Sequence, residues 1–140
     1  MTTYADTSFL VTVIFDEARS AVARKWIRRT SERIIISDLA GLEFGAVASR
    51  AVRTGRFDNG AGARALLSFD ELRNVALALA HGRDEFELAD KFVRNFAMKL
   101  SAPDALHLAS AKIAGATLAT FDRRLAEAAL AQGVEVASIT

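Results

Sequence analysis

The 140-residue sequence contains no cysteine, a single proline and no long apolar run. Without cysteine there can be no disulfide, thiolate zinc site or cysteine nucleophile, and the composition fits a reducing, cytoplasmic compartment. A membrane helix needs roughly 18 or more consecutive apolar residues, whereas the segment from Phe9 to Phe15 is already interrupted by Thr12. No basic segment precedes an apolar run near the N-terminus, so we expect no secretory signal.

The chain also lacks an excess of either charge. Eighteen Lys and Arg oppose 17 Asp and Glu, and the net charge of +1 predicts no general attraction to nucleic acids or membranes. Arginine supplies 14 of the 18 basic residues, and its guanidinium pairs equally well with carboxylates and phosphates. A GC-rich genome would produce the same bias. Any contact with a nucleic acid should therefore depend on a metal and on local arginines.

Hydrophobic residues make up 51% of the chain and charged residues 25%, as in globular proteins. The length predicts one domain over residues 1–140. Short apolar runs are typical of buried parallel strands, which have no polar face. We predict strands over 2–5, 33–36, 75–79, 116–119 and 134–137. The third is the least distinct, because its alanines suit a helix equally well.

Amphipathic patterns between these runs predict helices over 16–30, 39–54, 58–73, 85–100, 103–115 and 122–133. The last two end at glycine, as helices often do. In the second helix the apolar stripe comprises Leu39, Leu42, Ala46 and Val47. In the fourth helix the residues expected to face the core are Phe86, Ala89, Val93, Phe96 and Leu100. The alternation of strands and helices predicts an α/β fold around a parallel sheet.

Four acidic residues, Asp6, Glu43, Asp104 and Asp122, lie beside apolar segments at the edges of predicted elements. Ligands of open parallel sheets bind beyond the C-terminal ends of the strands, where Asp6 and Asp122 are expected. Each has a structural alternative, because Asp6 and Asp122 could cap helices and Asp104 fits a capping box with Ser101. If the fold gathers these carboxylates, a cation or a shared proton must offset their repulsion. The favoured hypothesis is a hard divalent metal acting on a phosphodiester.

Glu43 shares the apolar stripe that begins at Leu39, so we expect it to be partly buried. A buried carboxylate needs a partner, and an inward arginine is the ordinary one. His107 follows Asp104 by three residues and could orient it, although simple packing is the favoured interpretation. His81 lies in a predicted turn and is given no role. No P-loop or G-x-G-x-x-G follows the first strand, which argues against nucleotide binding by those motifs.

Three segments resemble the acidic blocks of PIN-domain proteins. They are YADTSFL over 4–10, PDALHLA over 103–109 and LATFDRRL over 118–125. Glu43, within SDLAGLEF over 37–44, lies where that family has its helical glutamate. The similarity runs the length of the chain in order and spacing. More narrowly, the sequence resembles VapC-type ribonuclease toxins of type II toxin–antitoxin systems.

The resemblance implies a PIN-like three-layer α/β/α domain. Its central five-stranded parallel sheet would have the order 3-2-1-4-5 and about seven flanking helices. In that order the first and fourth strands are neighbours, which would bring Asp6 and Asp122 together. The helices that carry Glu43 and Asp104 would then lie over the same cleft.

The implied activity is RNA hydrolysis by an endoribonuclease that depends on Mg²⁺ or Mn²⁺. Asp6 and Asp104 are the expected principal metal ligands, and Glu43 and Asp122 are expected to complete the catalytic site. Hydroxyl groups that would orient these carboxylates belong to Thr7, Ser8 and Thr120. Arginines that could guide RNA are Arg28, Arg29, Arg33, Arg50, Arg53 and Arg56, although most suit a solvated helix face equally well.

A toxin of this kind is expected to bind a cognate VapB-type antitoxin, to form a homodimer and to work in the cytoplasm without a membrane. Two alternatives stay open. One is a PIN-type nuclease for RNA processing outside a toxin pair, which a neighbouring reading frame for an antitoxin would argue against. The other is a non-catalytic PIN-like binding module with vestigial acids, which an absence of Mg²⁺ or Mn²⁺ binding would favour.

Overall fold

At the centre of the computed structural model, which describes all 140 residues, lies a four-stranded parallel sheet of order β3-β2-β1-β4. The strands are β1 (Thr2–Ala5), β2 (Arg33–Ser37), β3 (Leu77–Leu79) and β4 (Thr117–Ala119). β1 pairs with β2 on one side and with β4 on the other. The chain therefore builds outwards through β2 and β3 and then crosses back, which makes the β1–β4 boundary the topological switch point.

The fifth strand predicted over 134–137 is reduced to a single bridge between Leu118 and Val136. The Leu118 amide donates to Glu135 O and the Ala137 amide donates to Leu118 O, both at 2.8 Å. This tail occupies the place of a fifth strand, but β4 is only three residues long and offers little edge for pairing. The predicted sheet order is confirmed for the four strands that form.

Seven α-helices surround the sheet, the number that the family resemblance implied, whereas the apolar patterns predicted only six. They are α1 (Thr7–Ile14), α2 (Ser20–Arg29), α3 (Asp38–Arg53), α4 (Asn59–Val75), α5 (Arg83–Arg94), α6 (Ala102–Ala114) and α7 (Arg123–Ala131). The helix predicted over 16–30 starts later, and the apolar segment before it forms α1. The helix predicted over 85–100 ends at Arg94, and a 3₁₀ turn (Phe96–Met98) follows. None of the helices is both long and apolar enough to cross a membrane.

Successive strand residues point to opposite faces of the sheet, and this alternation builds two cores. Tyr4, Ile35 and Leu118 face a core shared with α5, α6 and α7. Their neighbours Ala5, Ile36 and Ala119 face a second core built with α1 to α4. The second core includes Phe44 stacked on Phe69 with ring centroids 4.2 Å apart, and Phe44→Ala should cost about 3–5 kcal/mol. The three-layer α/β/α arrangement is thus confirmed.

The predicted helix faces were partly wrong. α3 buries Ala40, Phe44, Ala48 and Ala51, because its small residues let the helix approach the sheet closely, and the larger Leu42 is 75% exposed. α5 buries Ala89 and Phe92. The residues predicted to be inward on this segment but found exposed are Phe86, Val93 and Phe96, the last at 89%.

Candidate active site

The four predicted acids stand at or near the C-terminal ends of strands. Asp6 directly follows β1 and caps α1 by accepting a hydrogen bond from the Phe9 amide at 2.9 Å. Asp122 follows β4 and caps α7 through the Leu125 amide at 3.0 Å. Both capping alternatives are therefore real, and they hold these carboxylates in place rather than removing them from a site.

Glu43 and Asp104 come from the helices of opposite layers. Glu43 lies in the second turn of α3, which begins immediately after β2. Asp104 lies in the first turn of α6, where Ser101 is the capping residue and accepts a hydrogen bond from the Asp104 amide at 3.3 Å. The Asp104 carboxylate is thus not needed as a cap.

All four acids line a single cleft of about 390 Å³ at the switch point. Thr7, Ser8 and His107 line it as well, and so does a fifth carboxylate, that of Glu17. No three His, Asp or Glu side chains approach closely enough to hold a metal ion by themselves. The all-oxygen donor set nevertheless fits Mg²⁺ or Mn²⁺, because Mg²⁺ commonly takes one or two carboxylates and keeps several waters.

Asp6 is the most buried of the acids, with 2% of its surface exposed. Burial raises the pKa of Asp6, and hydrogen bonds from Thr120, the Phe9 amide and Ser8 oppose that rise. Ser8 Oγ donates to Oδ1 at 2.8 Å and Thr120 Oγ1 donates to Oδ2. Both carboxylate oxygens are therefore fixed by neighbouring groups, and the predicted hydroxyls of Ser8 and Thr120 are in contact with them.

Asp104 and Asp122 act on each other through their charges. Burial is the main reason why the pKa of Asp104 is raised, and the negative charge of Asp122 is the next largest cause. Glu43 adds a smaller contribution of the same sign. A cation in this cleft would relieve the repulsion and stabilise the ionised acids.

Glu43 is paired with a histidine and not with an inward arginine, which was the structural alternative considered for it. His107 Nε2 lies 2.5 Å from Glu43 Oε1, and Thr7 Oγ1 donates to the same oxygen at 2.7 Å. Burial raises the pKa of Glu43, but the two hydrogen bonds and the charge of His107 together outweigh it, so that the pKa is lowered. The favoured interpretation of His107 as packing alone missed this contact. Nothing in the sequence signals it, because 64 positions separate the two residues.

Comparison with known proteins now settles the family. A family model described as the PIN domain matches residues 3–130. The chain belongs to the PIN domain family. No curated protein sequence matches it significantly.

Several solved structures share this PIN-domain fold. VapC20 of Mycobacterium tuberculosis, a sarcin-ricin loop cleaving toxin, has a TM-score of 0.74 and 22% identity, covering 91% of this chain and 95% of that one. VapBC-1 of nontypeable Haemophilus influenzae has a TM-score of 0.72 and 12% identity, covering 99% and 98%. FitAcB of Neisseria gonorrhoeae has a TM-score of 0.68 and 15% identity, covering 98% and 97%. At these identities the likeness shows the fold.

One acid of this PIN-domain cleft, Glu17, was not identified from the sequence. It lies between α1 and α2. It accepts a hydrogen bond from Thr12 at 3.3 Å and forms an ion pair with Arg56 at 3.5 Å. None of the six predicted arginines lines the cleft itself, and Arg56 reaches its edge through Glu17. At another edge the Arg19 guanidinium lies 4.0 Å from the ring centre of Phe121, a cleft residue.

Proposed function

We propose that the protein is an Mg²⁺- or Mn²⁺-dependent endoribonuclease and the toxin of a VapBC-type toxin–antitoxin pair. The observation that carries the proposal is the single cleft lined by all four predicted acids, which come from two strand ends and two helices. Membership of the PIN family supports it, as does the likeness to VapC20, a sarcin-ricin loop cleaving toxin. We also propose that the protein acts on RNA in the cytoplasm.

In this proposal Asp6 and Asp104 hold the metal, and Glu43 and Asp122 complete the site directly or through water. The bound metal would polarise the phosphate, lower the pKa of the attacking water and stabilise the leaving oxygen. Asp6 is suited to its role because its orientation is fixed on both oxygens by Ser8, the Phe9 amide and Thr120. Asp122 is held by its cap to α7.

RNA would approach along a rim that carries positive charge. Arg56 stands beside the acidic cleft through its ion pair with Glu17 and also lies 5.3 Å from the ring centres of Phe15 and Phe57. These contacts hold the guanidinium at the edge of the cleft while leaving the side chain about half exposed. A guanidinium so placed can contact a backbone phosphate of the RNA.

For the expected homodimer we propose an exposed apolar surface, called here the apolar face of α5. It is defined by Phe86 and Val93 of α5 and by Phe96 of the 3₁₀ turn that follows. These side chains are 58%, 40% and 89% exposed, and two of them line a groove of about 450 Å³ with Leu39, Pro103 and Leu106. Exposed apolar patches mark interaction surfaces. Acidic and basic residues are mixed along α5, which suits pairing of the face with its own copy across a two-fold axis.

The test compares Asp6→Asn with Asp58→Asn in RNA cleavage and in growth arrest. Asp58 caps α4 by accepting a hydrogen bond from the Ala61 amide at 2.7 Å, away from the cleft, so it matches Asp6 as a helix cap. Asparagine also caps helices, and both variants should fold. We expect Asp6→Asn alone to lose cleavage and toxicity while still binding the antitoxin.

Undiminished RNA cleavage by Asp6→Asn, or by the wild type in buffer freed of metal, would contradict the ribonuclease proposal. A wild-type protein that binds neither Mg²⁺ nor Mn²⁺ in calorimetry would instead indicate a PIN-like binding module. Active nuclease encoded without a neighbouring antitoxin would point to RNA processing outside a toxin pair.

A further inference from the structure

A buried chain of hydrogen bonds leads from the core of the protein to the cleft. His107, on α6, is 2% exposed. Its Nδ1 lies 2.7 Å from the Tyr4 hydroxyl on β1, and its Nε2 lies 2.5 Å from Glu43 Oε1 on α3. The Tyr4 hydroxyl is also hydrogen-bonded to Ser37 Oγ at 2.8 Å, at the end of β2. The imidazole ring is therefore held at both nitrogens.

The histidine connects the two helical layers at the end of the sheet. α3 packs in the core with α1 and α4, whereas α6 packs in the core with α5 and α7. The contact between Glu43 and His107 crosses from one layer to the other directly over the strand ends. Any change in the position of the ring would thus be transmitted to a carboxylate that lines the cleft.

The two oxygens of Glu43 have different surroundings. Oε1 receives the hydrogen bond from Thr7 and is the partner of His107. An ionised carboxylate can only accept hydrogen bonds, so His107 Nε2 must carry the proton in this contact. Because both contacts fall on Oε1, Oε2 is left as the acceptor that can serve the cleft. A glutamate without such anchors would populate several rotamers.

We propose that His107 is a positioning residue, which fixes the Glu43 carboxylate through Nε2 so that Oε2 faces the metal site. Tyr4 and Ser37 fix the ring in turn. The proposal rests on the proposed function of the cleft, since it assigns Glu43 a partner within that site. It assigns no contact between His107 and either RNA or metal.

Two substitutions separate the roles of the ring nitrogens. In His107→Gln the side-chain amide nitrogen can reach the position of Nε2 and donate to Glu43. In His107→Asn the shorter side chain can reach only the position of Nδ1, near Tyr4. We expect His107→Asn to weaken Mn²⁺ binding by about tenfold, a usual effect of losing a group that orients a metal ligand. His107→Gln should stay within about threefold of the wild type.

Mn²⁺ binding is measured by calorimetry on the protein without RNA, and crystal structures of both variants show where the Glu43 carboxylate lies. We expect it to be displaced in His107→Asn and retained in His107→Gln. Wild-type affinity in His107→Asn, or equal losses in both variants at similar melting temperatures, would overturn the positioning role.

Should His107→Asn fail to fold, Tyr4→Phe provides the test, because it removes only the hydrogen bond between the Tyr4 hydroxyl and the ring. Unchanged Mn²⁺ affinity and an unmoved ring in Tyr4→Phe would then overturn the proposal that Tyr4 holds the His107 ring in place for Glu43.

Failure of the proposed function gives a different result. If the wild type binds no Mn²⁺, the metal site itself is wrong, and the structures still decide the positioning role. A displaced Glu43 in His107→Asn would then support it, and an unmoved Glu43 would refute it.

Discussion

Thr120, directly after β4, donates a hydrogen bond to the buried carboxylate of Asp6, directly after β1. Ser8 Oγ lies 3.2 Å from the Thr120 hydroxyl and also accepts a hydrogen bond from the Phe121 amide at 3.0 Å. The ends of the two central strands are thus joined by hydroxyl groups around one carboxylate. This arrangement gives Asp6 a fixed direction before any metal binds.

Loss of the Thr120 hydroxyl should therefore weaken metal binding. We expect Thr120→Val to lower Mn²⁺ affinity by about tenfold, because Asp6 Oδ2 loses its donor while the side chain keeps its shape. Thr120→Ser retains the hydroxyl and should stay near the wild type. Calorimetry with Mn²⁺ alone measures both. Equal affinities in the valine and serine variants would show that the hydroxyl has no orienting role.

Asp104→Asn should separate stability from metal binding. The variant removes a half-buried charge that Asp122 repels, so without metal it should melt at a higher temperature than the wild type. A ligand present at about 100 times its Kd stabilises a protein by about 2.7 kcal/mol, and we expect only the wild type to gain that much from Mn²⁺. Thermal unfolding in EDTA and in Mn²⁺ measures the difference. An Asp104→Asn protein that gains as much from Mn²⁺ would exclude Asp104 as a ligand.

Removal of Arg56 should affect the binding of RNA more than its cleavage. With the guanidinium gone, we expect KM to rise about tenfold in Arg56→Ala, the value of one hydrogen bond to a charged group, and kcat to change little. Arg83→Ala is the matched control, because Arg83 pairs with Glu87 on α5 and neither residue lines the cleft. Steady-state cleavage at two salt concentrations tests the prediction. A fall in kcat with constant KM would place Arg56 in the chemistry instead.

His81 should make stability depend on pH. Its Nε2 accepts a hydrogen bond from the Leu39 amide at 3.3 Å, and its Nδ1 lies 3.0 Å from Ser110 Oγ. Burial, followed by the charge of His107, lowers the pKa of His81, whereas Asp38 and Glu85 oppose the shift. The folded protein therefore binds the proton less readily than the unfolded chain. The stabilisation is present above the ordinary pKa of about 6.5 and is lost as the pH falls through the lower folded value.

His81→Gln keeps an acceptor for the Leu39 amide but cannot titrate. We expect its free energy of unfolding to fall less than that of the wild type when the pH is lowered from neutral towards 5. Urea unfolding at a series of pH values measures both proteins. Asp6 and Asp104 have raised pKa values and act in the opposite direction, but they are common to both proteins. Parallel pH curves would contradict the prediction.

Charge on the apolar face of α5 should dissociate the proposed homodimer. We expect Phe86→Asp and Phe96→Asp to sediment as monomers, because each places a carboxylate in a contact that is otherwise apolar. Leu130→Asp is the control, since Leu130 is 63% exposed on α7, outside that face. Sedimentation velocity over a range of concentrations gives the masses. A dimer that persists in both phenylalanine variants would place the interface elsewhere.

The sheet and the acids were the predictable parts of this protein. Runs such as Ile34–Ile36 have no polar face and so identify buried parallel strands. The order of Asp6, Glu43, Asp104 and Asp122 along the chain carried the family resemblance. Helix α1 was missed because it is only eight residues long and largely apolar, so that the segment from Phe9 to Phe15 was interpreted as a short apolar run and not as an amphipathic helix.

Two features were harder to predict for physical reasons: which face of a helix is buried, and which residues distant in the sequence are in contact. In α3, alanines and Phe44 are buried while Leu42 is exposed. A prediction from hydrophobicity alone therefore assigned the wrong face of this helix to the core. The contact of His107 with Glu43 depends on how two layers meet over the strand ends, and no local pattern records that meeting. The position of Glu17 depends on the break between α1 and α2. The helix predicted over 16–30 included Glu17, so the sequence did not indicate that break.

The C-terminal tail has a consequence for association between chains. Through its hydrogen bonds to Leu118, the segment around Glu135–Ala137 occupies the free side of β4. Open strand edges are where sheets of separate molecules join and aggregate. Of the two border strands, β3 lies opposite the strand that leads to Asp122, and β4 is the one that the tail already pairs. A strand added beside β4, next to Asp122, would first have to displace this tail.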